Sequence, residues 1–120
     1  MSIKEFVQKF YKSDAFIDVE VLKDFLHPEI ILEWNSTSGL IQMDYKAMLN
    51  YAQELSQAYV RSKVRISHIV EEGENVAVRY AHYVKTIENP REEILLALFM
   101  TIWQIKDNKL YRGYQMSHIS

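Results

Sequence analysis

Residues 93–106, EILLALFMTIWQIK, carry apolar side chains at nearly every position, and their reading decides the fold. Strand alternation puts Leu95, Ala97, Phe99, Thr101, Trp103 and Ile105 on one face. Ile94, Leu96, Leu98, Met100, Ile102 and Gln104 take the other. A strand apolar on both faces needs cover on both. Asp107-Asn108 follows as a two-residue hairpin signal, so residues 109–119, KLYRGYQMSHI, return as the partner strand. Leu110 then lies beside Ile105 across the hairpin. By alternation Arg112, Tyr114, Met116 and His118 share its inner face, while Tyr111, Gly113, Gln115, Ser117 and Ile119 face outward.

Two more long strands precede this pair. Residues 61–71 and 76–87 flank the turn Glu72-Gly73-Glu74-Asn75, and Asn89-Pro90 closes the second. Successive hairpins imply an antiparallel meander. On residues 76–87 the more apolar face is Val76, Val78, Tyr80, His82 and Val84, which is expected to point inward.

The first half of the chain reads as helices. Ser2 and Glu5 form a capping box, and Ile3, Phe6, Val7, Phe10 and Tyr11 mark one apolar helical face ending near Ser13-Asp14. Asp18 caps a shorter helix with Val21, Leu22, Phe25 and Leu26 buried, which Pro28 is expected to end. A short strand over residues 30–34, the loop 35–39 and a second short strand over 40–43 follow. Asp44 then caps a third helix reaching about Tyr59, with Met48, Ala52, Leu55 and Tyr59 as its stripe. Helices first and long strands later predict an α+β fold with the helices on one sheet face. A second copy of the chain is the simplest cover for the outer sheet face, which predicts a homodimer. The alternative is a concave sheet that partly covers its own back.

Composition narrows the function classes. A 120-residue chain predicts one domain, residues 1–120, with a sizeable core. Cysteine is absent, which removes disulfides, thiolate nucleophiles and Cys-based metal sites. The net charge is −2 and the 14 basic residues are dispersed, so no nucleic-acid partner is implied. The start, MSIKEFVQKF, is unlike a signal peptide, and no apolar run is long enough to span a membrane, so a cytoplasmic location is expected. The four histidines lack HxH or HxxxH spacing, so no metal and no cofactor are expected.

The order of elements, the segments FLHPEIILEW and GENVAVRY, and the final TIWQIKDNKLYRGYQMSHIS together resemble the nuclear transport factor 2-like superfamily. Within it the chain is most similar to the SnoaL-like group, which includes polyketide cyclases and relatives of ketosteroid isomerase. The resemblance spans almost the whole chain. It implies a cone-shaped, cystatin-like α+β fold: a curved antiparallel sheet, three N-terminal helices and an apolar pocket between them. Dimers are frequent in such proteins. Their functions run from isomerases, dehydratases and hydrolases to binding modules, so fold does not fix function.

Ketosteroid isomerase-like chemistry uses a helix tyrosine, a carboxylate base on the first strand and a protonated acid on the penultimate strand. By the resemblance those places fall to Phe10, Trp34 and Thr101, none of which can act as that base or acid. His82 beside Tyr80 is the sharpest catalytic candidate, since imidazole titrates near neutrality. The alternative is a buried neutral histidine bonded to a tyrosine hydroxyl or a backbone carbonyl. Arg112 is a candidate anchor for an anionic ligand, or else a rim arginine that is paired or snorkels to water. Phe10, Trp34, Phe99, Thr101, Trp103, Arg112 and Tyr114, with Tyr80, would bind a small, largely apolar or aromatic ligand, or would simply fill the cone. Three functions therefore stand side by side: a small-molecule binding protein, a SnoaL-like isomerase, cyclase or dehydratase using His82, and a protein–protein interaction module.

Overall fold

In the computed structural model, which describes residues 1–119 and leaves Ser120 outside them, the chain runs α1 (Ile3–Lys12), α2 (Val19–Lys23), β1 (Leu26–Ser36), β2 (Gly39–Asp44), α3 (Tyr45–Ala58), β3 (Tyr59–Glu72), β4 (Asn75–Thr86), β5 (Ile94–Lys106) and β6 (Lys109–His118). One sheet carries all six strands in the order β2-β1-β6-β5-β4-β3. Four of its five pairings are antiparallel, and β1 joins β6 in parallel. The expected α+β class, the meander β3–β6 and the N-terminal helices are all present.

Local chemistry accounts for the element ends. Glu5 N donates to Ser2 Oγ and Ser2 N to Glu5 Oε1, which closes the capping box of α1. Asp18 and Asp44 accept from the first-turn amides of α2 and α3. Asp107 and Asn108 both take positive φ (54° and 59°), the geometry a two-residue turn needs to match strand twist. Pro28 does not end α2: that helix stops at Lys23 with Asp24 as its cap, and β1 is under way by Leu26. Proline has no N–H to give a ladder, so it sits where the β1–β6 register breaks, between Leu26 and Ile31.

The helices lie over the concave face, and the core fills the space between. Val7 and Phe10 from α1, Leu22 from α2, Ile30 from β1, Val76 and Val78 from β4, Trp103 from β5 and Leu110 from β6 are all buried there. β5 obeys the predicted alternation from Ala97 to Ile105, with Ala97, Thr101, Trp103 and Ile105 buried. Opposite the His82–Tyr83 step its register slips by one, and Leu96 turns toward the concave side.

β6 departs from simple alternation, and its inner face is not the expected one. Ile105 pairs with Leu110, but Gln104 pairs with Arg112, so Tyr111 is an extra residue. Such a bulge exchanges the two faces of every residue beyond it. Arg112, Tyr114, Met116 and His118 therefore point outward, and Gly113, Gln115 and Ser117 point inward. Gly113 shows why the exchange is tolerated. A Cβ there would lie 2.5 Å from Trp103 Cζ3 and 2.7 Å from Leu32 Cδ1, so only glycine fits beneath the indole. A further slip at Ile66/His68 in β3 leaves His68 exposed.

The outer sheet face keeps its apolar centre. Leu98, Met100 and Ile102 on β5 and Tyr114 and Met116 on β6 are each at least 41% exposed. No described helix is long and apolar enough to cross a membrane.

Candidate functional site

The cone holds a cavity of about 300 Å³. Phe10 and Tyr11 of α1, Phe16 of the loop after it and Tyr51 of α3 form its helical wall. Trp34, Tyr80, His82, Phe99 and Trp103 form its sheet wall. Ser36, Ser38 and Ile119 border it as well. The rings pack by edge and face: Tyr80 stacks on Phe99 at 5.0 Å and 6°, and Trp34 meets Tyr51 at 5.6 Å and 71°. Among the described residues lining the cavity there is no Asp, Glu, Lys or Arg.

The sequence-predicted residues divide into three groups. Phe10, Trp34, Tyr80, His82, Phe99 and Trp103 do converge on this one hollow. Thr101 points the same way but lies behind the wall, 1% exposed, with its hydroxyl donating to Gln115 Oε1 at 2.8 Å. Arg112 and Tyr114 are not at the cavity, because the Tyr111 bulge sends them to the other side of the sheet. Arg112 lies over the Tyr111 ring and donates to the carbonyl of Glu29 at 2.7 Å. It is held as a structural clamp between β6 and β1, away from any ligand in the cone.

Several polar pairs lie along the cavity wall. Trp103 Nε1 donates to Tyr11 Oη at 2.8 Å. Tyr80 Oη donates to Gln115 Oε1 at 3.5 Å, and Trp34 Nε1 donates to Ser117 Oγ at 2.9 Å. Burial is the main force on the two phenols. It pushes Tyr11 up to about 12 and Tyr80 well above its ordinary 10, so both stay protonated donors at neutral pH.

His82 is 4% exposed and packs against Phe16 at 4.9 Å. Its Nε2 is hydrogen-bonded to Ser62 Oγ of β3 at 2.7 Å, not to Tyr80. Burial holds its pKa down at about 4, because the charged imidazolium would lose its hydration. At neutral pH the ring is uncharged, and no carboxylate among the described residues contacts it. Phe10, Trp34 and Thr101 bring no carboxylate either, so the isomerase-like trio has no acid or base here. Chemically, the cavity can receive an apolar ring system, hydrogen-bond it at one or two points, and offer a neutral imidazole.

Sequence reasoning missed Gln115, Ser117, Leu96, Tyr11 and Phe16 as cavity residues, and Ser62 as the partner of His82. One signal was in reach for the first two: a glycine inside a strand marks a bulge or a close approach, and Gly113 is such a glycine. Among the described residues no cluster of His, Asp or Glu is placed to hold a metal.

Comparison with known proteins agrees with this geometry. Wild-type IdmH, a candidate polyketide cyclase from Streptomyces antibioticus, superposes with a TM-score of 0.75 at 16% identity, over 98% of this chain and 92% of that one. A SnoaL-like candidate polyketide cyclase from Shewanella denitrificans gives 0.74 at 10% identity, over 96% and 89%. An NTF2-like protein of unknown function from Burkholderia pseudomallei gives 0.69 at 14% identity, over 100% and 92%. At such identities these likenesses speak for the fold alone. No curated protein matches the sequence. The family model of the SnoaL-like domain matches residues 7–113, and the chain belongs to the SnoaL-like family.

Proposed function

We propose that this chain binds a small, neutral, largely aromatic molecule in the cone cavity and works as a homodimer joined through the outer sheet face. The cavity carries the first half: about 300 Å³ of space walled largely by aromatic rings, with no Asp, Glu, Lys or Arg among the described residues that line it. Ligand sites of this kind are concave, mostly apolar and set with a few directed polar groups. The second half rests on Leu98, Met100, Ile102, Tyr114 and Met116, which stand together on the convex face. Monomers rarely leave so continuous an apolar patch in water. Native mass spectrometry of gently purified protein tests both halves at once. A dimer mass with a carried small molecule, or one that takes up an added aromatic, is the expected result. A bare monomer that takes up no aromatic compound contradicts the reading.

A catalytic reading rests on a different observation. His82 lies in the cavity wall with its Nε2 held by Ser62, a geometry that orients a neutral imidazole. In this reading His82 relays a proton on a ring-shaped substrate, as a cyclase or isomerase requires, with Tyr80 as a hydrogen-bond donor. A base with a pKa near 4 is weak, so rates would be modest at neutral pH. Turnover that disappears in His82→Ala while the circular dichroism spectrum is unchanged would support it. Turnover that survives in His82→Ala would remove it.

A further inference from the structure

Gln115 sits on β6 opposite Thr101 of β5 and beside Trp34 of β1, in the sheet wall of the cavity. It is 8% exposed, a deeply buried amide in a wall made mostly of aromatic and aliphatic side chains. Its Oε1 accepts from Thr101 Oγ at 2.8 Å and from Tyr80 Oη at 3.5 Å. A carbonyl oxygen has two lone pairs, so that end of the amide is fully used. The other end is not. Among the described residues nothing accepts from Gln115 Nε2, although every fully buried polar side-chain atom there has a partner. The residual exposure of the amide is therefore toward the cavity.

We infer that Gln115 selects the ligand, and that the ligand class is a neutral aromatic compound presenting a hydrogen-bond acceptor to the Gln115 amide. This rests on the cavity-binding reading above and sharpens it. Gln115 lines the hollow and its Nε2 end has no acceptor among the described residues, so a ligand group that accepts a hydrogen bond is the one that completes it. A ligand offering only N–H or O–H hydrogens meets donor against donor. An anionic carboxylate would accept well, but among the described residues the cavity wall holds no Lys or Arg to offset its desolvation. The flat shape follows from the Tyr80–Phe99 stack and the Trp34 ring beside it.

A matched set of bicyclic probes tests this by calorimetric titration: indane, with no polar group; indole, a donor only; and indanone, an acceptor only. Wild-type protein is expected to bind indanone about tenfold more tightly than indane, the scale of a desolvated neutral hydrogen bond. Indole should bind no better than indane. Gln115→Leu is expected to erase the indanone advantage while indane binds as before or better. Equal affinity for indanone and indane in the wild type overturns the inference while leaving the cavity reading intact. So does a preference for indole, which would mean that the amide shows its oxygen to the cavity. An indanone advantage that persists in Gln115→Leu also overturns it. If none of the three binds, the cavity reading itself fails, and this inference with it. Should Gln115→Leu not fold, Gln115→Met serves in its place, and the wild-type comparison needs no variant.

Discussion

Adding one methyl group at Gly113 should destabilise this protein more than most single substitutions on its surface. The ideal Cβ would meet Trp103 Cζ3 at 2.5 Å, Leu32 Cδ1 at 2.7 Å and Trp103 Cε3 at 2.9 Å. Ordinary carbon contacts lie near 3.5–4.0 Å, so the neighbours must give by close to an ångström. Leu32 can change rotamer. Trp103 cannot move so easily, because it is 2% exposed and its Nε1 is tied to Tyr11. Overpacking of this kind costs about 1–3 kcal/mol. For a chain of this length roughly 2 kcal/mol corresponds to a fall in Tm of about 6–10 °C. Urea denaturation of wild type and Gly113→Ala, followed by tryptophan fluorescence and circular dichroism, measures it. Gly113→Ala paired with Trp103→Phe should recover part of the loss, since the smaller ring vacates the clashing atoms. A Gly113→Ala protein within about 0.5 kcal/mol of wild type, the range of an ordinary surface change, would refute the reasoning. It would mean that β6 does not carry its bulge at Tyr111 and that Gln115 does not face inward.

Acidification should weaken the fold through His82. Its folded pKa of about 4 lies below the usual 6.5, so the unfolded chain binds a proton first. The contribution is full above about pH 6.5, falls as the pH drops toward 4, and amounts to about 3 kcal/mol across that window. Urea denaturation at several pH values should show that loss, and His82→Gln should flatten the slope; an unchanged slope argues against a neutral buried imidazole. Tyr11→Phe should cost about 1–3 kcal/mol by leaving the Trp103 N–H unpartnered in the core, which thermal denaturation will show or deny. Met100→Glu on the outer face should convert dimer to monomer in sedimentation analysis while the circular dichroism spectrum is kept. A Met100→Glu protein that stays dimeric places the contact elsewhere.

Much of this architecture is legible from local rules because those rules act within a few residues. The capping box at Ser2 and Glu5, the Asp18 and Asp44 caps and the Asp107-Asn108 turn are each set by neighbours in sequence. Alternation along β4 and from Ala97 to Ile105 placed Tyr80, His82, Phe99 and Trp103 correctly for the same reason. The misplaced strand faces share one cause. A one-residue bulge is invisible to a period-two rule, yet it exchanges the faces of everything after it. Tyr111 carried Arg112 and Tyr114 out of the expected pocket and brought Gln115 and Ser117 in. The Leu96 slip did the same on a smaller scale. The rule that makes Pro28 a helix stop fails because a missing N–H suits a break in a strand ladder equally well. The Ser62–His82 bond joins residues on different strands, which no spacing rule relates.

Methyl NMR on methionine-labelled protein tests the central claim, an open aromatic cone that takes up a neutral ring system. The chain has five methionines, placed by the fold as internal controls: Met43 and Met48 line the cavity, Met100 and Met116 stand on the opposite sheet face, and Met1 is exposed. Titration with indanone is predicted to shift the Met43 and Met48 methyl signals saturably and to leave Met100 and Met116 in place. Signals that never move, or that move only at Met100 and Met116, would contradict the account.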